Sequence, residues 1–414
     1  MNLTPHPLNS APSRSRITGF DWLTGAFIAF QSSGFIQKYA GIPGLFLYLI
    51  LVSTAIASIP LLPQRITGWC NFRFPILSSA FILGLAAIFL CLHQVEDGRG
   101  PGRSSDRDEG LEIAVSRLIA GENPYYPAHP DAGPLSVLPG AILLAVPFVL
   151  LGSVGVQNLF WLGAFLWICG TRSTSRGRLL VLLGASVALS PAAQYEIISG
   201  GDMIANGAYV ACFLILAHDV WTVRGSNPAI KTAAALLLGV GLASRANMIL
   251  ILPLFSASVL VNAGWRSALR CSILIALAFC VTVGSFYVLD PQAFTPLKSR
   301  EKIMFNGGAL WWADEAILAV TATMTLVFAA NSMFGRHRSD LRLLMRQATW
   351  VTITPMLAMV LLSSFTSGKP DFRFTHDRFG LMYLFFCTSA AVMQCRIGSA
   401  SRKPENNRHL PDEH

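Results

Sequence analysis

The chain has 414 residues, of which 53% are hydrophobic and 13% are charged, and its mean hydropathy is +0.52. This composition excludes an ordinary soluble protein, because several apolar runs reach the roughly 17–25 residues that cross the hydrocarbon core of a bilayer. The formal net charge is +9. The basic residues are scattered through short loops between apolar runs, which is typical of topology signals and excludes nucleic acid as a partner.

The order of apolar runs predicts an all-α, polytopic integral membrane protein with about twelve transmembrane helices. We expect the spans near residues 18–37, 42–62, 75–93, 156–171, 178–193, 204–222, 232–244, 247–262, 271–289, 311–331, 347–365 and 378–395. A further apolar run at 134–153 breaks the alternation of the later basic loops if it is counted as a span. We therefore expect it to lie in, or re-enter, one face of the membrane.

The distribution of Lys and Arg predicts that both ends of the chain lie on the inner side of the membrane. Residues 1–17 and 396–414 are then cytoplasmic tails, and residues 18–395 form the membrane domain. The first large exterior loop, with the run that follows it, covers about 94–155. Any chemistry is expected there, because the interior loops are short.

Residues 105–126 read SDRDEGLEIAVSRLIAGENPYY. Apolar residues recur at helical spacing, which predicts an amphipathic helix resting on the outer bilayer surface: Leu111, Ala114, Val115, Leu118 and Ile119. Ser105 and Asp108 have capping-box spacing, and Gly121 followed by Asn123 is a stop signal. Asp106, Asp108 and Glu109 cluster at the start of this helix. Alone, they could simply complement the helix dipole.

Three further candidates lie at the predicted outer ends of spans. Asp202, in SGGDMIAN, is either a helix cap or a functional acid. Arg245, in GLASRANMI, sits at a depth where a cation is costly unless it faces a cavity or an anion, or snorkels to the interface. His376 and Arg378, in FTHDRFGLMY, are either an interfacial anchor or ligands of an anion.

The segment has four parts in order along the chain. Acidic residues come first, then the amphipathic helix, then GENPYY, and then a Pro-containing apolar run. This order resembles the first exterior loop of the GT-C membrane glycosyltransferases, nearest to bacterial polyprenyl-phosphate-mannose-dependent mannosyltransferases. Asp108-Glu109 matches the acidic pair of that family, and residues 118–125 (LIAGENPY) match the run one helix later. Residues 134–139 (PLSVLP) match the start of the packed helix, although the family usually has aromatic-Pro-Pro there.

The resemblance implies an enzyme of the bacterial inner membrane that moves one sugar to a glycolipid or glycan acceptor at the outer face. The donor would be a polyprenyl-phosphate sugar, with mannose implied and arabinose or another sugar as alternatives. A carboxylate suits the base, and Arg or Lys suits the leaving phosphate. The implied roles are catalysis for Asp108, with Asp106 and Glu109; donor-phosphate binding for Arg245, Arg378 and His376; and substrate binding for Asp202, Asn123 and Tyr125.

The sequence leaves other functions open. No cofactor is required by the pattern, but paired acids could hold a divalent metal ion. The alternatives to a transferase are a transporter or flippase, a lipid-linked glycan ligase or polymerase, and a non-enzymatic scaffold. The acids gather at predicted outer ends of spans and not at their middles, which favours chemistry at the interface over a conduction path. Membrane lipids are expected partners in each case.

Overall fold

A computed structural model of the chain describes residues 17–97, 107–126, 135–223, 225–298, 313–335, 340–372 and 378–393. Within these ranges the regular elements are helices. The α-helices are α1 Gly19–Phe30, α2 Ser33–Ser58, α3 Gln64–Phe72, α4 Phe74–Asp97, α5 Arg107–Ile119, α6 Pro139–Leu150, α7 Val156–Gly170, α8 Arg176–Ala188, α9 Pro191–Ile198, α10 Met203–Thr222, α11 Pro228–Leu242, α12 Ile251–Ala263, α13 Trp265–Leu289, α14 Ala313–Phe334, α15 Leu341–Ser367 and α16 Leu384–Val392. Short 3₁₀ helices cover Ile59–Leu61, Ala246–Leu250, Thr295–Lys298 and Phe379–Tyr383.

Seven helical segments in the described ranges are long and apolar enough to cross a membrane. They are Ser33–Leu61, Phe74–Glu96, Met203–Thr222, Ala246–Ala263, Trp265–Leu289, Glu315–Phe334 and Leu341–Ser367. The bent pair α8 and α9, which turns by 83°, makes an eighth if it is one span. Five shorter apolar helices accompany them. The fold is therefore that of a polytopic membrane protein, and the predicted number of twelve spans stays a prediction.

Helix α10 lies at the centre of the bundle. It is apolar on all sides and almost entirely buried, as expected for a helix enclosed by other helices. It packs against α7, α11 and α12, and against the 3₁₀ helix Phe379–Tyr383. Its first residue, Met203, follows the Gly200–Gly201 turn after α9. We call the end of the bundle where α4 ends and α10 begins the site end.

Helix α5 confirms the predicted helix to within two residues at each end. The prediction that its apolar face rests on the bilayer is corrected, because Leu111, Ala114 and Val115 are buried against α6 and its neighbours. Helix α6 has 12 residues and packs against α5, α7, α11 and α13. The run at 134–153 is thus a short helix that covers α5.

Gly140 allows α6 to approach the end of α11 closely. The backbone N–H of Gly140 donates to the Ala243 carbonyl oxygen at 2.8 Å, and that of Leu138 donates to Ser244 at 3.0 Å. A Cβ at position 140 would lie 2.2 Å from the Val240 carbonyl oxygen and 2.6 Å from Ala243 backbone atoms. Only a residue without a side chain fits between these two backbones.

The Gly140→Ala substitution is expected to lower the free energy of unfolding by about 1–3 kcal/mol, because backbone atoms on both sides must move to admit the methyl group. The matched control is Gly163→Ala in the middle of α7, where a Cβ meets nothing within 4 Å. That control should be neutral or stabilising by up to ~1 kcal/mol. Thermal unfolding of both variants in the same detergent is the measurement, and equal behaviour would contradict the close packing.

Candidate active site at the site end of the bundle

A cluster of ionisable side chains is buried at the site end. Four carboxylates and three guanidinium groups belong to it, together with one imidazole: Glu96, Asp108, Glu196, Asp202, Arg107, Arg245, Arg378 and His93. Apart from His93 and the partly buried Arg107, every one is at most 6% exposed. Buried charges are costly unless they are paired, so this concentration marks the cluster as the candidate functional site.

Asp202 and Arg245 form the first ion pair. Arg245 Nη2 donates to Asp202 Oδ2 at 2.5 Å, and Asn206 Nδ2 donates to the same oxygen. Asp202 occupies the N-cap position of α10 but makes no capping hydrogen bond through its side chain, so the capping interpretation is wrong. Arg245 is buried and does not snorkel. Some of its N–H groups are not used in strong hydrogen bonds. Its Nε has no hydrogen-bond partner among the described residues, and its Nη1 reaches Ser136 Oγ only at 3.5 Å.

Glu196 and Arg378 form the second pair. Arg378 Nη1 lies 2.8 Å from Glu196 Oε2 and donates to Ser199 Oγ at 2.8 Å. Its guanidinium lies over the Tyr195 ring, 4.8 Å from the centroid. Glu196 also accepts a hydrogen bond from the Met203 N–H at 2.6 Å, which ties α9 to α10. Arg378 is therefore a buried member of the cluster and not an interfacial anchor.

The backbone of Arg378 is strained. Its φ is +62°, and it is the only non-glycine residue with positive φ in the described part of the chain. A non-glycine residue in this region costs of order 1 kcal/mol and persists only where the surroundings over-determine it, typically at functional sites. The strain therefore agrees with a functional role for this arginine.

Asp108 reaches the cluster from the first turn of α5. Its Oδ2 lies 3.9 Å from His93 Nε2 on α4, and both side chains line the turn at Gly200. A Cβ on Gly200, whose φ is +70°, would lie 3.3 Å from His93 and 3.4 Å from Asp108. The carboxylate thus faces the junction of α9 and α10 and does not merely complement the dipole of its own helix.

Arg107 connects the two ion pairs electrostatically. Its partial burial lowers its pKa, as does the nearby Arg378, while Glu196 and Asp202 act in the opposite direction. For Asp202, burial works to raise the pKa, but Arg245 and Arg107 outweigh it and hold the pKa below its usual range. The Arg107 guanidinium also lies over the Phe379 ring at 5.1 Å, next to Arg378. All three arginines therefore belong to one electrostatic unit.

The structure brings together Asp108, Asp202, Arg245 and Arg378 from the sequence predictions. Glu109 follows on α5, with one carboxylate oxygen buried and lacking a hydrogen-bond partner among the described residues. Asp106 and His376 lie outside the described residues.

Asn123 and Tyr125 make internal contacts. Asn123 Oδ1 accepts from the Tyr125 N–H at 3.0 Å, and the Tyr125 hydroxyl donates to the Val137 carbonyl oxygen at 3.1 Å. Burial raises the Tyr125 pKa, so its hydroxyl stays protonated. These contacts tie the segment after α5 to the start of α6, and substrate binding by this pair stays a prediction.

Several members of the cluster were not predicted from the sequence. They are His93, Glu96, Arg107, Tyr195, Glu196 and Asn206. Glu96 accepts a hydrogen bond from the Tyr195 hydroxyl at 2.7 Å. The available signal for Glu196 was an acid within an apolar run, YEIISGGD, four residues before a Gly-Gly turn. His93 and Glu96 also have the i, i+3 spacing of one helix face at the end of an apolar run.

The protein also has an apolar groove with a volume of about 590 Å³. It is lined by Phe30 of α1, by the last turns of α15 and by the segment that follows them, with Lys369 as its charged residue. Gln31, next to Phe30, packs against Gly380: a Cβ on Gly380 would lie 3.1 Å from that of Gln31. Gly380 is two residues from Arg378, so this contact links the helix that carries Phe30 to the segment that carries Arg378.

In the described part of the chain, no group of three or more His, Cys, Asp or Glu side chains could hold a metal ion. Comparisons with protein-family models, with curated proteins and with solved structures find no match. The site must therefore be interpreted from its own geometry.

Proposed function

We propose that the chain is a membrane glycosyltransferase of GT-C type, which moves one sugar, with mannose as first choice, from a polyprenyl-phosphate donor to a glycolipid or glycan acceptor. The observation that carries the proposal is the convergence of Asp108 with three arginines in a buried cluster, in a protein that also has an apolar groove. A base, cationic groups for a phosphate and a surface for a lipid tail are the three parts that this reaction needs.

The proposed reaction is a single displacement with inversion at the anomeric carbon. Asp108 takes the proton from the acceptor hydroxyl, and the acceptor oxygen forms a bond to the anomeric carbon. The bond between that carbon and the phosphate oxygen breaks, and its electron pair stays on the phosphate. The added negative charge is stabilised by Arg245, Arg378 and Arg107, since charge-assisted hydrogen bonds are strongest where water is excluded.

Arg245 is the proposed main ligand of the donor phosphate, because its Nε and Nη1 keep hydrogen-bonding capacity beside the pair with Asp202. Arg378 stands beside it as a second ligand. The pairs with Asp202 and Glu196 hold both guanidinium groups in place before the donor arrives, which lowers the cost of binding.

The groove is the proposed binding site of the donor's isoprenoid tail. Its apolar lining supports this proposal, as does the contact of Gln31, next to the lining residue Phe30, with Gly380. Lys369 at the groove adds a cation that suits the anionic head of a lipid.

The membrane arrangement is part of the proposal. The seven long spans, the bent pair and the shorter helices α1, α7, α11 and α16 together make the twelve predicted spans, with α6 lying at the site end. Lys and Arg counts favour N-in and C-in, which puts the site at the outer face of the bacterial inner membrane.

A transporter is disfavoured by the pattern along α10. A chain of hydrogen bonds runs from Asp202 through Asn206 to the Tyr209 hydroxyl and accompanies the first two turns. Residues 210–217 are then apolar without exception (VACFLILA), and the next polar residue is His218 near the other end. A conduction path along this central helix would require polar groups through that stretch.

Filling the groove tests the proposal that it holds the donor tail. The Leu357→Trp substitution should raise the KM for a polyprenyl-phosphate sugar about tenfold, because displacing two methylene groups of the tail costs ~1.6 kcal/mol. The control is Leu318→Trp on the exposed face of α14, where the side chain is 63% exposed. Equal KM values for the two variants would contradict a tail in the groove.

A further inference from the structure

The imidazole of His93 has a fixed orientation in the site. It stacks on Phe89 of the same helix with ring centroids 4.5 Å apart. Its Nδ1 lies 3.0 Å from the Ile198 carbonyl oxygen at the end of α9. A carbonyl oxygen can only accept, so Nδ1 carries the proton and donates it to Ile198. In the neutral ring, Nε2 therefore presents a lone pair.

The nitrogen Nε2 lies near the proposed base. Asp108 Oδ2 lies 3.9 Å from Nε2, and hydrogen bonds of this kind are often long before substrate binds and shorten in the reacting complex. The Gly200 turn makes this approach possible, because a side chain there would touch both groups. His93 Nε2 is thus positioned to accept a proton from Asp108, although it was not among the residues predicted from the sequence.

We infer that His93 is a positioning and proton-relay residue behind Asp108. This inference rests on the proposed function. Asp108 takes the proton from the acceptor hydroxyl, and that proton then passes to His93 Nε2 as the new N–H bond forms and the Asp108 O–H bond breaks. Asp108 returns to its carboxylate form for the next turnover. The imidazole, whose side chain is 18% exposed, releases the proton to water.

The charges around the imidazole allow a temporary cation. Asp108 faces it from α5, where Arg107 is the preceding residue. Glu196 belongs to α9, which contacts the imidazole through Ile198, and Glu96 lies three residues further along α4. The Asp108 carboxylate, 3.9 Å from Nε2, lies opposite the imidazolium while it holds the proton. The hydrogen bond to Ile198 keeps the ring in the same position in both protonation states.

A first measurement does not depend on activity. Nitrogen NMR of protein with ¹⁵N-labelled histidine, with His93→Gln used to identify the signals, reports which nitrogen carries the proton of the neutral ring. The inference expects Nδ1. A proton on Nε2 would overturn it, because that nitrogen could not then accept from Asp108.

Kinetics provide the second measurement. His93→Gln should lower kcat 10–100-fold with KM unchanged, and the double variant His93→Gln, Asp108→Asn should be no slower than Asp108→Asn, since the two groups act as a unit. Imidazole added to His93→Ala should restore part of kcat, which a structural role would not allow. The control is His218→Gln, at the far end of α10, with thermal unfolding to verify folding.

The outcomes separate the inference from the proposed function. An active wild type with equal kcat in His93→Gln overturns the relay and leaves the transferase in place. A loss of kcat in the double variant that equals the combined losses of the two single variants also overturns the relay and leaves the transferase in place. A wild type that transfers no sugar overturns the proposed function and the relay with it.

Discussion

Replacing Asp108 with Asn is expected to lower the kcat of sugar transfer by 10²–10⁴-fold while the protein still folds. This range is typical of removing a general base. Asn has the shape of Asp but cannot take the proton from the acceptor hydroxyl. The KM for the donor should change little, because the phosphate is bound by the arginines and not by Asp108. Initial rates in lipid nanodiscs provide both constants.

The control for this experiment is Glu122→Gln, which also removes an acid from the segment between α4 and α6. Glu122 is 56% exposed and pairs only with Arg117 among the contacts described, so its loss should cost little. If transfer persists in Asp108→Asn, the base must be another acid, with Asp106 and Asp202 as the next candidates.

Breaking the pair between Asp202 and Arg245 is expected to be the most destabilising change at the site. Asp202→Ala leaves the buried Arg245 without its carboxylate, and removing one partner of a buried ion pair typically costs about 3–5 kcal/mol. The double variant Asp202→Ala, Arg245→Met should recover part of that loss, since no uncompensated charge remains. Unfolding in mixed micelles, analysed as a double-mutant cycle, is the measurement.

The same pair predicts a pH dependence. Because the pKa of Asp202 is lowered in the folded protein, its contribution to stability is present above the unfolded value of about 4 and is lost as the pH falls through the folded value. The double variant should lack this contribution.

Variants that remove only one partner of the Asp202–Arg245 pair should unfold more easily than the wild type. If they do not, the result would contradict a pair that is both buried and close.

The predictions that the structure confirms most closely were made from patterns within short stretches of the sequence. Helix α5 was predicted from apolar spacing and its stop signal, and the structure places it at Arg107–Ile119. Separate spans near 232–244 and 247–262 were predicted on either side of Arg245, and the structure ends α11 at Leu242 and begins α12 at Ile251. Both features depend on residues close together in the sequence, so periodicity and turn chemistry are sufficient to find them.

The contacts that were not predicted join residues far apart in the sequence. Arg378 and its partner Ser199 are separated by 179 residues, and His93 meets Ile198 across 105. Nothing local marks Glu196 as the partner of Arg378, because both lie beside apolar runs whose mutual packing decides which ends meet. The covering of α5 by α6 was missed for a similar reason, since an apolar helix face can be buried by protein or by lipid with the same spacing.

The measurement that tests the central claim most directly is transfer of label by purified protein in lipid vesicles. A panel of polyprenyl-phosphate sugars, each carrying a radiolabelled sugar, is supplied with a crude mixture of glycolipid and glycan acceptors. The account predicts that one donor, with mannose as first choice, loses its label to an acceptor and leaves polyprenyl phosphate behind. Labelled sugar that stays on every donor, with acceptors from the whole cell envelope present, would contradict it.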